Sequence, residues 1–477
     1  MSKPDLLIRN GKVYTEDGFR LLDVGVIGEK IAFLSNPGAI TDATQTIDAK
    51  GQHVLPGIID WHVHLREPGL TYKEDFECGT KAAAAGGVTM VCTQPNTDPV
   101  PNTVENLRIQ VEAGLRSAVV DFQVIASPLA HADGHVDKLA AAGTAWFKIF
   151  QKVDKYPYST PAATCNTAEI LAAFKACAKA GRYCSVHPWD KFFHDEAILK
   201  VKAQGLPVIT ENVRPLWYGN EEMTSAGYQL YYLAKKAKMK WYAMHAWQPD
   251  FIDLVRLAKK EGAIDVIASF ELMPSMEPVE RLYDPKTGKW SEYTLSHDAS
   301  PDEAYMWAAV MDGTIDFIGT DHAPHGRQDY EALLGEKPAD YTPPSLGYPL
   351  LEWYGHLLLN WVNQGRLTLE KLVQVTSVNG AKAFDLYPRK GSNLPGTDAD
   401  FTICDLNCEW TVNSERVYTK SGLSSYHGRK LKGKVTHTVV RGKVVMANGE
   451  VLGEPGWGKF IIPESAGAKS LAATGNL

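Results

Sequence analysis

Two patterns of apolar and polar positions divide the chain into three segments. Residues 5–55 alternate in short apolar and polar runs that are interrupted by Gly, Asn and Asp, as at Asn10-Gly11. The same pattern returns from Asp400 onward and around Arg441-Gly442. Short alternating runs separated by turn residues are typical of small antiparallel strands and hairpins. We therefore expect one small β domain built from both ends of the chain.

The middle of the chain has a different rhythm, in which short apolar strands alternate with helical stretches. Strands are predicted at 88–92, 121–125, 146–150, 183–187, 241–245, 264–268 and 315–319. Helices are predicted around 103–115, 134–142 and 167–180. Repeated strand–helix units indicate an α/β fold, and we expect a parallel (β/α)8 TIM barrel. A doubly wound open sheet is the alternative, disfavoured because no G-x-G-x-x-G follows the first strand.

These patterns give three expected segments. Residues 1–55 form the first part of the β domain, residues 56–390 form the barrel, and residues 391–477 form the second β part and a C-terminal tail. A chain of 477 residues is long enough for a large domain with a smaller companion.

Composition narrows the class of protein. With 44% hydrophobic and 22% charged residues the chain has the profile of a globular protein, and the net charge of −7 argues against nucleic acid as a partner. No apolar run reaches membrane-spanning length and no leader pattern is visible, so we expect no membrane association and a cytoplasmic location. The seven cysteines include no C-x-x-C pair, and a disulfide framework is not expected.

The run His62-Val63-His64, followed by Arg66, is the clearest chemical signal in the sequence. Side chains two positions apart on an extended segment point to the same face, so the two imidazoles are able to hold one metal ion. The arginine adds a cation with the geometry to bind a carboxylate. A metal that activates water beside such a cation suggests hydrolysis of a small acidic molecule.

Further polar residues stand at or just past the ends of predicted strands. In a barrel these positions gather at the C-terminal mouth, where active sites lie. Burying several histidines, a lysine and an aspartate together is costly unless a metal compensates. The set that we expect to face one point is His62, His64, Lys148, His187, His245 and Asp321.

Together these motifs resemble the cyclic amidohydrolases of the amidohydrolase superfamily, which include dihydroorotase, allantoinase, hydantoinase and dihydropyrimidinase. The resemblance covers almost the whole chain. It is carried by Leu55 to Asp60, the H-x-H-x-R-E-P-G run, Gly319 to His325 and Val435 to Gly442. In this family the barrel carries a β-sandwich made from both chain ends, which agrees with the organisation above.

The resemblance implies two divalent metal ions, with zinc as the expected metal. His62 and His64 would hold the first ion, near Asp321, while His187 and His245 would hold the second. It also implies a small cyclic amide as the substrate. We further expect a homo-oligomer, a dimer or a tetramer.

Two further residues receive chemical roles from the resemblance. Lys148 matches the family lysine that reacts with carbon dioxide, and the resulting carbamate would bridge both metal ions. Asp321 matches the catalytic base that takes a proton from the attacking oxygen and hands it to the leaving amide nitrogen. The same site would open or close the ring.

A separate group of residues matches the substrate contacts of dihydroorotase. Arg66, Asn96 and His325 match residues that grip the substrate carboxylate in that enzyme, and all three offer suitable donors. Leu346 and Gly347 match the loop that contacts the ring through its backbone. We therefore expect dihydroorotase-like activity on a ring that carries a carboxylate.

Several segments depart from the dihydroorotase pattern and keep alternatives open. His187-Pro188-Trp189-Asp190, the stretch from Ser269 to Pro274 and the stretch after His245 all differ from it. An allantoinase, hydantoinase or imidase type of activity on another ring is the first alternative. The second is a scaffold homologue without catalysis, and a nucleobase deaminase is less expected.

Overall fold

The computed structural model describes residues 3–129, 135–151, 162–206, 208, 212, 216, 220–271, 282–290, 303–331 and 347–469. In chain order the strands are β1 (Leu6–Thr15), β2 (Gly18–Ile27), β3 (Lys30–Ser35), β4 (Gln45–Asp48), β5 (His53–Pro56), β6 (Ile58–Val63), β7 (Val88–Thr93), β8 (Asp121–Val124), β9 (Phe147–Phe150), β10 (Tyr183–His187), β11 (Lys240–Ala243), β12 (Val266–Glu271), β13 (Tyr283–Asp284), β14 (Lys289–Trp290), β15 (Phe317–Gly319), β16 (Phe401–Thr411), β17 (Lys430–Val440), β18 (Lys443–Ala447) and β19 (Glu450–Val451).

The α-helices are α1 (Phe76–Ala85), α2 (Val104–Ser117), α3 (His135–Ala142), α4 (Thr167–Lys179), α5 (Lys191–Ala203), α6 (Asn220–Ala237), α7 (Pro249–Glu261), α8 (Glu303–Met311), α9 (Arg327–Glu331), α10 (Tyr354–Asn363), α11 (Leu369–Val373) and α12 (Asn379–Ala383). The predicted helices near 103, 134 and 167 are confirmed as α2, α3 and α4. Local capping explains two starts: Asp75 accepts a hydrogen bond from the Cys78 amide (2.8 Å) before α1, and Thr103 accepts one from the Asn106 amide (3.1 Å) before α2.

Apart from the antiparallel pair β13–β14, the described strands of the middle segment are parallel and follow one another in chain order. β6, β7 and β8 form one sheet, and β9, β10, β11, β12 and β15 form another. Isolated parallel bridges, Ala126 with Phe147 and Val63 with His322, join the two sheets at both edges. Every residue of β6 and β7 is buried, as expected of strands covered on both faces. The chain therefore has a TIM-barrel type of α/β fold with an additional β domain. Full closure of the ring stays a prediction, which the two bridges support.

Both ends of the chain join one mixed sheet. Its order is β19-β18-β17-β16-β5-β1-β2-β3, with β4 paired to β1. The antiparallel pairing of β16 with β5 is the seam between the N-terminal and C-terminal parts. Strands from both ends of the chain therefore pair within one sheet. Folding of this sheet into a sandwich and the exact segment bounds stay predictions.

The turn signals in this sheet had mixed outcomes. Arg441-Gly442 does connect β17 to β18, with φ angles of 45° and 80°. Asn10-Gly11 does not mark a hairpin: it lies inside β1, where the pairing register with β2 shifts between Ile8 and Gly11 and Asn10 has a φ of 55°. A Cβ at Gly11 would come 2.6 Å from Val54 Cγ2, so close packing accounts for this glycine.

A buried ionic cluster ties the C-terminal part to the base of β8. The Lys390 ammonium lies 2.5 Å from Asp121, 2.6 Å from Asp400 and 3.1 Å from Asp398. Arg441 Nε donates to the same Asp121 at 3.0 Å. Although burial lowers the pKa of Lys390, the three carboxylates outweigh it and raise that pKa above its ordinary value.

All seven cysteines are free thiols. None of the helices searched in the described residues has the length and apolar character needed to cross a membrane.

Candidate metal centre

Strand ends bring three of the predicted metal ligands into one cluster. His62 lies near the end of β6, His245 follows β11, and Asp321 follows β15. One ligand atom from each of these residues lies within 4.8 Å of the others. This is the arrangement expected when parallel strands deliver their C-terminal residues to one mouth.

The backbone at this mouth is held in an unusual conformation. Arg66, His245 and Asp321 all have positive φ angles, of 62°, 61° and 50°. Residues other than glycine adopt this left-handed region at a cost, and such positions cluster at functional sites. Each of the three residues leaves a strand end here, so the conformation turns its side chain relative to the strand direction.

Asp321 sits between the two histidines of the H-x-H motif. Its Oδ1 lies 2.9 Å from His64 Nε2 and 3.3 Å from His62 Nε2. Burial alone would raise the pKa of Asp321, but the neighbouring imidazoles outweigh it and hold that pKa well below its ordinary value. Burial lowers the pKa of His64 to about 3, so this ring is neutral and able to ligate a metal near pH 7.

The remaining predicted ligands lie on the other side of His245. His187 Nδ1 is 2.9 Å from His245 Nε2, so two imidazole nitrogens face each other. Lys148 is fully buried on β9 and its ammonium contacts the sulfur of Met244. Burial lowers the pKa of Lys148 to about 8, against the opposing influence of Asp321 and Glu271.

Glu271 is a residue of this centre that the sequence did not reveal. It ends β12 and is fully buried, and its Oε1 and Oε2 lie 3.3 Å from His62 Nδ1 and 2.6 Å from His245 Nδ1. Burial raises its pKa, yet these histidines outweigh burial and hold the pKa of Glu271 well below its ordinary value. It carries the same strand-end signal as the predicted ligands, which would have been enough to find it.

Asp60 is a second buried carboxyl group that the sequence did not single out. Its Oδ1 accepts hydrogen bonds from the amides of His62 and Thr320 at 3.1 Å, and Thr320 Oγ1 donates to its Oδ2 at 2.6 Å. Burial raises the pKa of Asp60 to about 7. The residue therefore ties β6 to the segment after β15 and holds the backbone beside the predicted ligands His62 and Asp321.

The donor atoms of the cluster fit divalent metal ions. Within the described part of the chain His62 Nε2 makes no hydrogen bond although it is buried. His187 Nδ1 and His245 Nε2 face each other, and a ligand atom of His245 lies within 4.8 Å of one of Asp321. Imidazole nitrogens and carboxylate oxygens are the ligands that zinc and similar ions take. A cation at this position would compensate for the buried, converging lone pairs.

The expected substrate contacts surround this cluster in part. Arg66 is buried and its Nε donates to the Pro324 carbonyl at 3.2 Å. Asn96 lies beside the metal cluster, with Oδ1 2.6 Å from His64 Nδ1. Gly347 lies against Ala323, whose Cβ would be 2.3 Å from a Cβ at that glycine. Leu346 lies outside the described residues.

A buried lysine beside His325 was also missed by the sequence. Lys73 Nζ lies 3.3 Å from His325 Nδ1 and 3.4 Å from Asp329 Oδ2. Burial lowers the pKa of His325 to about 3; Asp329 opposes this shift, while Arg66 and Lys73 add to it. His325 is therefore neutral near pH 7, and its charged neighbours are Arg66, Lys73 and Asp329, whose formal charges sum to +1. This arrangement favours an anionic group near the site.

Comparisons with known proteins agree with the fold. The amidohydrolase family matches residues 53–445. The chain is 30% identical over 464 residues to an L-hydantoinase of Paenarthrobacter aurescens, an alignment that covers 96% of this chain and 98% of that protein. It is 31% identical over 454 residues to a dihydroorotase of Staphylococcus epidermidis, covering 92% and 98%.

A solved structure shows the same likeness in three dimensions. The L-hydantoinase (dihydropyrimidinase) from Arthrobacter aurescens superposes with a TM-score of 0.82 at 27% identity, covering 96% of this chain and 99% of that one. The family match spans well over half of the chain and includes every residue of the cluster. The chain therefore belongs to the amidohydrolase family.

Proposed function

We propose that this protein is a binuclear metal-dependent hydrolase that opens, or closes, a cyclic amide ring carrying a carboxylate, as a dihydroorotase does. The observation that carries the proposal is the convergence of His62, His245 and Asp321, whose ligand atoms lie within 4.8 Å of one another. Membership of the amidohydrolase family and similarity to dihydroorotases and hydantoinases support hydrolysis of a cyclic amide C–N bond.

We divide the four predicted histidine ligands into two groups, one for each metal ion. His62 and His64 would hold one ion with Asp321, and His187 and His245 would hold the other. When bound, two zinc-like ions supply Lewis acidity, which lowers the pKa of water and polarises a carbonyl group. The first group is supported by the contact of His64 Nε2 with Asp321 Oδ1 at 2.9 Å, and the second by the contact of His187 Nδ1 with His245 Nε2 at 2.9 Å.

Lys148 would serve both metal positions as a carbamate. An ammonium has three donors and no acceptor, so an unmodified lysine cannot ligate a cation. Addition of its neutral Nζ to carbon dioxide, with loss of one proton, creates a carboxylate on that nitrogen. The burial of Lys148 favours the neutral amine that this addition requires.

Asp321 would move the proton of the reaction. Its carboxylate accepts a proton from the water whose oxygen attacks the ring carbonyl carbon, and it delivers that proton to the ring nitrogen as the C–N bond breaks. The contacts with His62 and His64 keep it ionised before the step. The reverse sequence would close the ring.

Arg66, Asn96 and His325 would bind the substrate carboxylate, and Leu346 and Gly347 would contact the ring. Buried Arg66 and Lys73 beside neutral His325 support an anionic ligand group. The His64 contact occupies the Asn96 carbonyl oxygen, which leaves the Nδ2 amide group as the donor for substrate.

Hydrolysis of a neutral ring is the second candidate function. The similarity to an L-hydantoinase, at 30% identity across nearly the whole chain, favours it. Trp247, whose ring centroid lies 5.3 Å from that of His245, offers an apolar wall to a ring without a carboxylate.

An Arg66→Ala variant separates the two candidates. For dihydroorotate we expect kcat/KM to fall by at least about tenfold, since a charged hydrogen bond is worth roughly 1.5–3 kcal/mol. Turnover of hydantoin and the metal content should stay close to those of the parent. Arg20→Ala, on the exposed surface of β2, is the matched control. Unchanged kinetics with dihydroorotate would contradict the proposal that Arg66 binds a carboxylate of the substrate.

A further inference from the structure

Glu271 occupies a position between two of the proposed metal-ligand groups. Its Oε1 lies 3.3 Å from Nδ1 of His62, and its Oε2 lies 2.6 Å from Nδ1 of His245. Ser269 Oγ donates to Oε1 at 2.8 Å and fixes the carboxylate from behind. The side chain is fully buried, so its orientation is set by these contacts.

This geometry determines which nitrogen of each imidazole carries hydrogen. An ionised carboxylate only accepts hydrogen bonds, so both histidines must donate Nδ1–H to Glu271. A neutral imidazole has a single N–H, and its lone pair therefore remains on Nε2. These are the Nε2 atoms that face Asp321 at 3.3 Å and His187 at 2.9 Å.

We propose that Glu271 is a positioning residue that holds His62 and His245 in their metal-binding tautomer and orientation, and so couples the two metal positions to each other. The inference rests on the metal centre of the proposed function. His64 has a separate partner, since its Nδ1 lies 2.6 Å from Asn96 Oδ1. Glu271 instead joins one histidine of each metal group through a single carboxylate. It is not itself a ligand, because its oxygens lie on the Nδ1 side of both rings.

Glu271→Gln tests this directly. A glutamine side chain has one acceptor oxygen and one NH2 donor, so it can accept Nδ1–H from only one of the two rings. The other ring would face a donor and would favour the Nε2–H tautomer, which cannot ligate a metal through Nε2. We expect zinc content to fall from about two ions per chain to about one or fewer, and the retained zinc to bind about 10- to 100-fold more weakly in chelator competition.

Two further variants separate positioning from a purely structural role. Glu271→Asp keeps two acceptor oxygens and should retain more zinc than Glu271→Gln. Glu352→Gln replaces another buried glutamate, whose Oε2 accepts a hydrogen bond from the Tyr418 amide, and should keep the parent's zinc content. Thermal unfolding of the metal-free proteins completes the set, and the positioning role predicts that metal-free Glu271→Gln unfolds near the parent's temperature.

The outcomes are distinguishable. Two zinc ions per chain in the parent and in Glu271→Gln would overturn the inference while leaving the metal centre intact. Equal zinc loss in Glu271→Gln and Glu271→Asp, with metal-free unfolding far below the parent's temperature, would assign Glu271 a structural role instead. A parent that binds no zinc would overturn the proposed function together with this inference.

Discussion

Nε2 of His64 lies 2.9 Å from Oδ1 of Asp321, and this contact joins the first strand of the predicted barrel to the segment after the last. A metal-ligand candidate and the candidate proton acceptor are therefore neighbours. The placement allows Asp321 to stay ionised until substrate binds, since the neighbouring imidazoles keep its pKa low.

Asp321→Asn is expected to abolish proton transfer while preserving the shape of the side chain. An amide cannot accept and return the proton, so kcat should fall by about 10²- to 10⁴-fold. KM should change much less. Steady-state kinetics with metal content measured on the same sample checks this. Parent-like kcat in a fully metal-loaded Asp321→Asn protein would exclude the residue as the base.

Lys73→Met is expected to weaken binding of an anionic substrate. Lys73 lies 3.3 Å from His325 Nδ1, so its ammonium donates there and leaves the His325 N–H on Nε2. Losing this donor should raise KM for the carboxylate-bearing ring by about tenfold, with kcat within about twofold. Lys81→Met, on neighbouring α1, is the matched control. Equal KM values for the two variants would count against a role for Lys73.

Lys390→Met is expected to destabilise the junction between the β domain and the barrel. The substitution would leave Asp121, Asp398 and Asp400 buried without their shared ammonium. Breaking a buried ion pair typically lowers the free energy of unfolding by about 3–5 kcal/mol. Lys432→Met removes an exposed pair with Glu409 and should cost about 0–1 kcal/mol. Denaturant unfolding of both variants checks this, and equal stabilities would contradict it.

Glu352 should make stability depend on pH. Burial raises the pKa of Glu352 to about 8 from its ordinary value of 4.5, with Glu74 adding to the shift. Between these values the unfolded chain releases this proton and the folded chain keeps it. The free energy of unfolding contributed by this group is therefore fully present below about pH 4.5 and is lost as pH rises to about 8.

Glu352→Gln removes this dependence because an amide does not titrate. We expect the variant's advantage in unfolding free energy over the parent to grow from pH 5 towards about pH 8. Denaturant unfolding of both proteins between pH 5 and about pH 8 measures this difference in unfolding free energy. Both proteins are metal-free, so metal binding does not contribute to it. A difference that stays constant with pH would show that Glu352 is ionised in the folded protein.

The sequence predicted that the candidate ligands cluster because parallel strands end at one edge, so polar residues that follow apolar strands converge. His62, His245 and Asp321 obey that rule. Glu271 obeys it too, but its segment was read only as a departure from the dihydroorotase pattern. The contact at 2.6 Å with His245 depends on side-chain direction, which strand periodicity does not specify.

Local turn chemistry was a weaker guide than strand order. Asn10-Gly11 has the composition of a hairpin turn. However, the residues of β1 before and after it both pair with β2, so it forms an irregularity within β1. Lys73 was missed for a different reason. A lysine in a loop is usually exposed to solvent. Here Lys73 is buried by contacts with His325 and Asp329, which are distant in sequence.

The comparison of ring-opening rates with and without a ring carboxylate tests the central claim most directly. We would measure kcat/KM for dihydroorotate and for hydantoin with the zinc-reconstituted protein, and repeat both assays on metal-free protein. The account predicts at least about a tenfold preference for dihydroorotate and loss of both activities on metal removal. Equal or better turnover of hydantoin, or activity that survives metal removal, would contradict it.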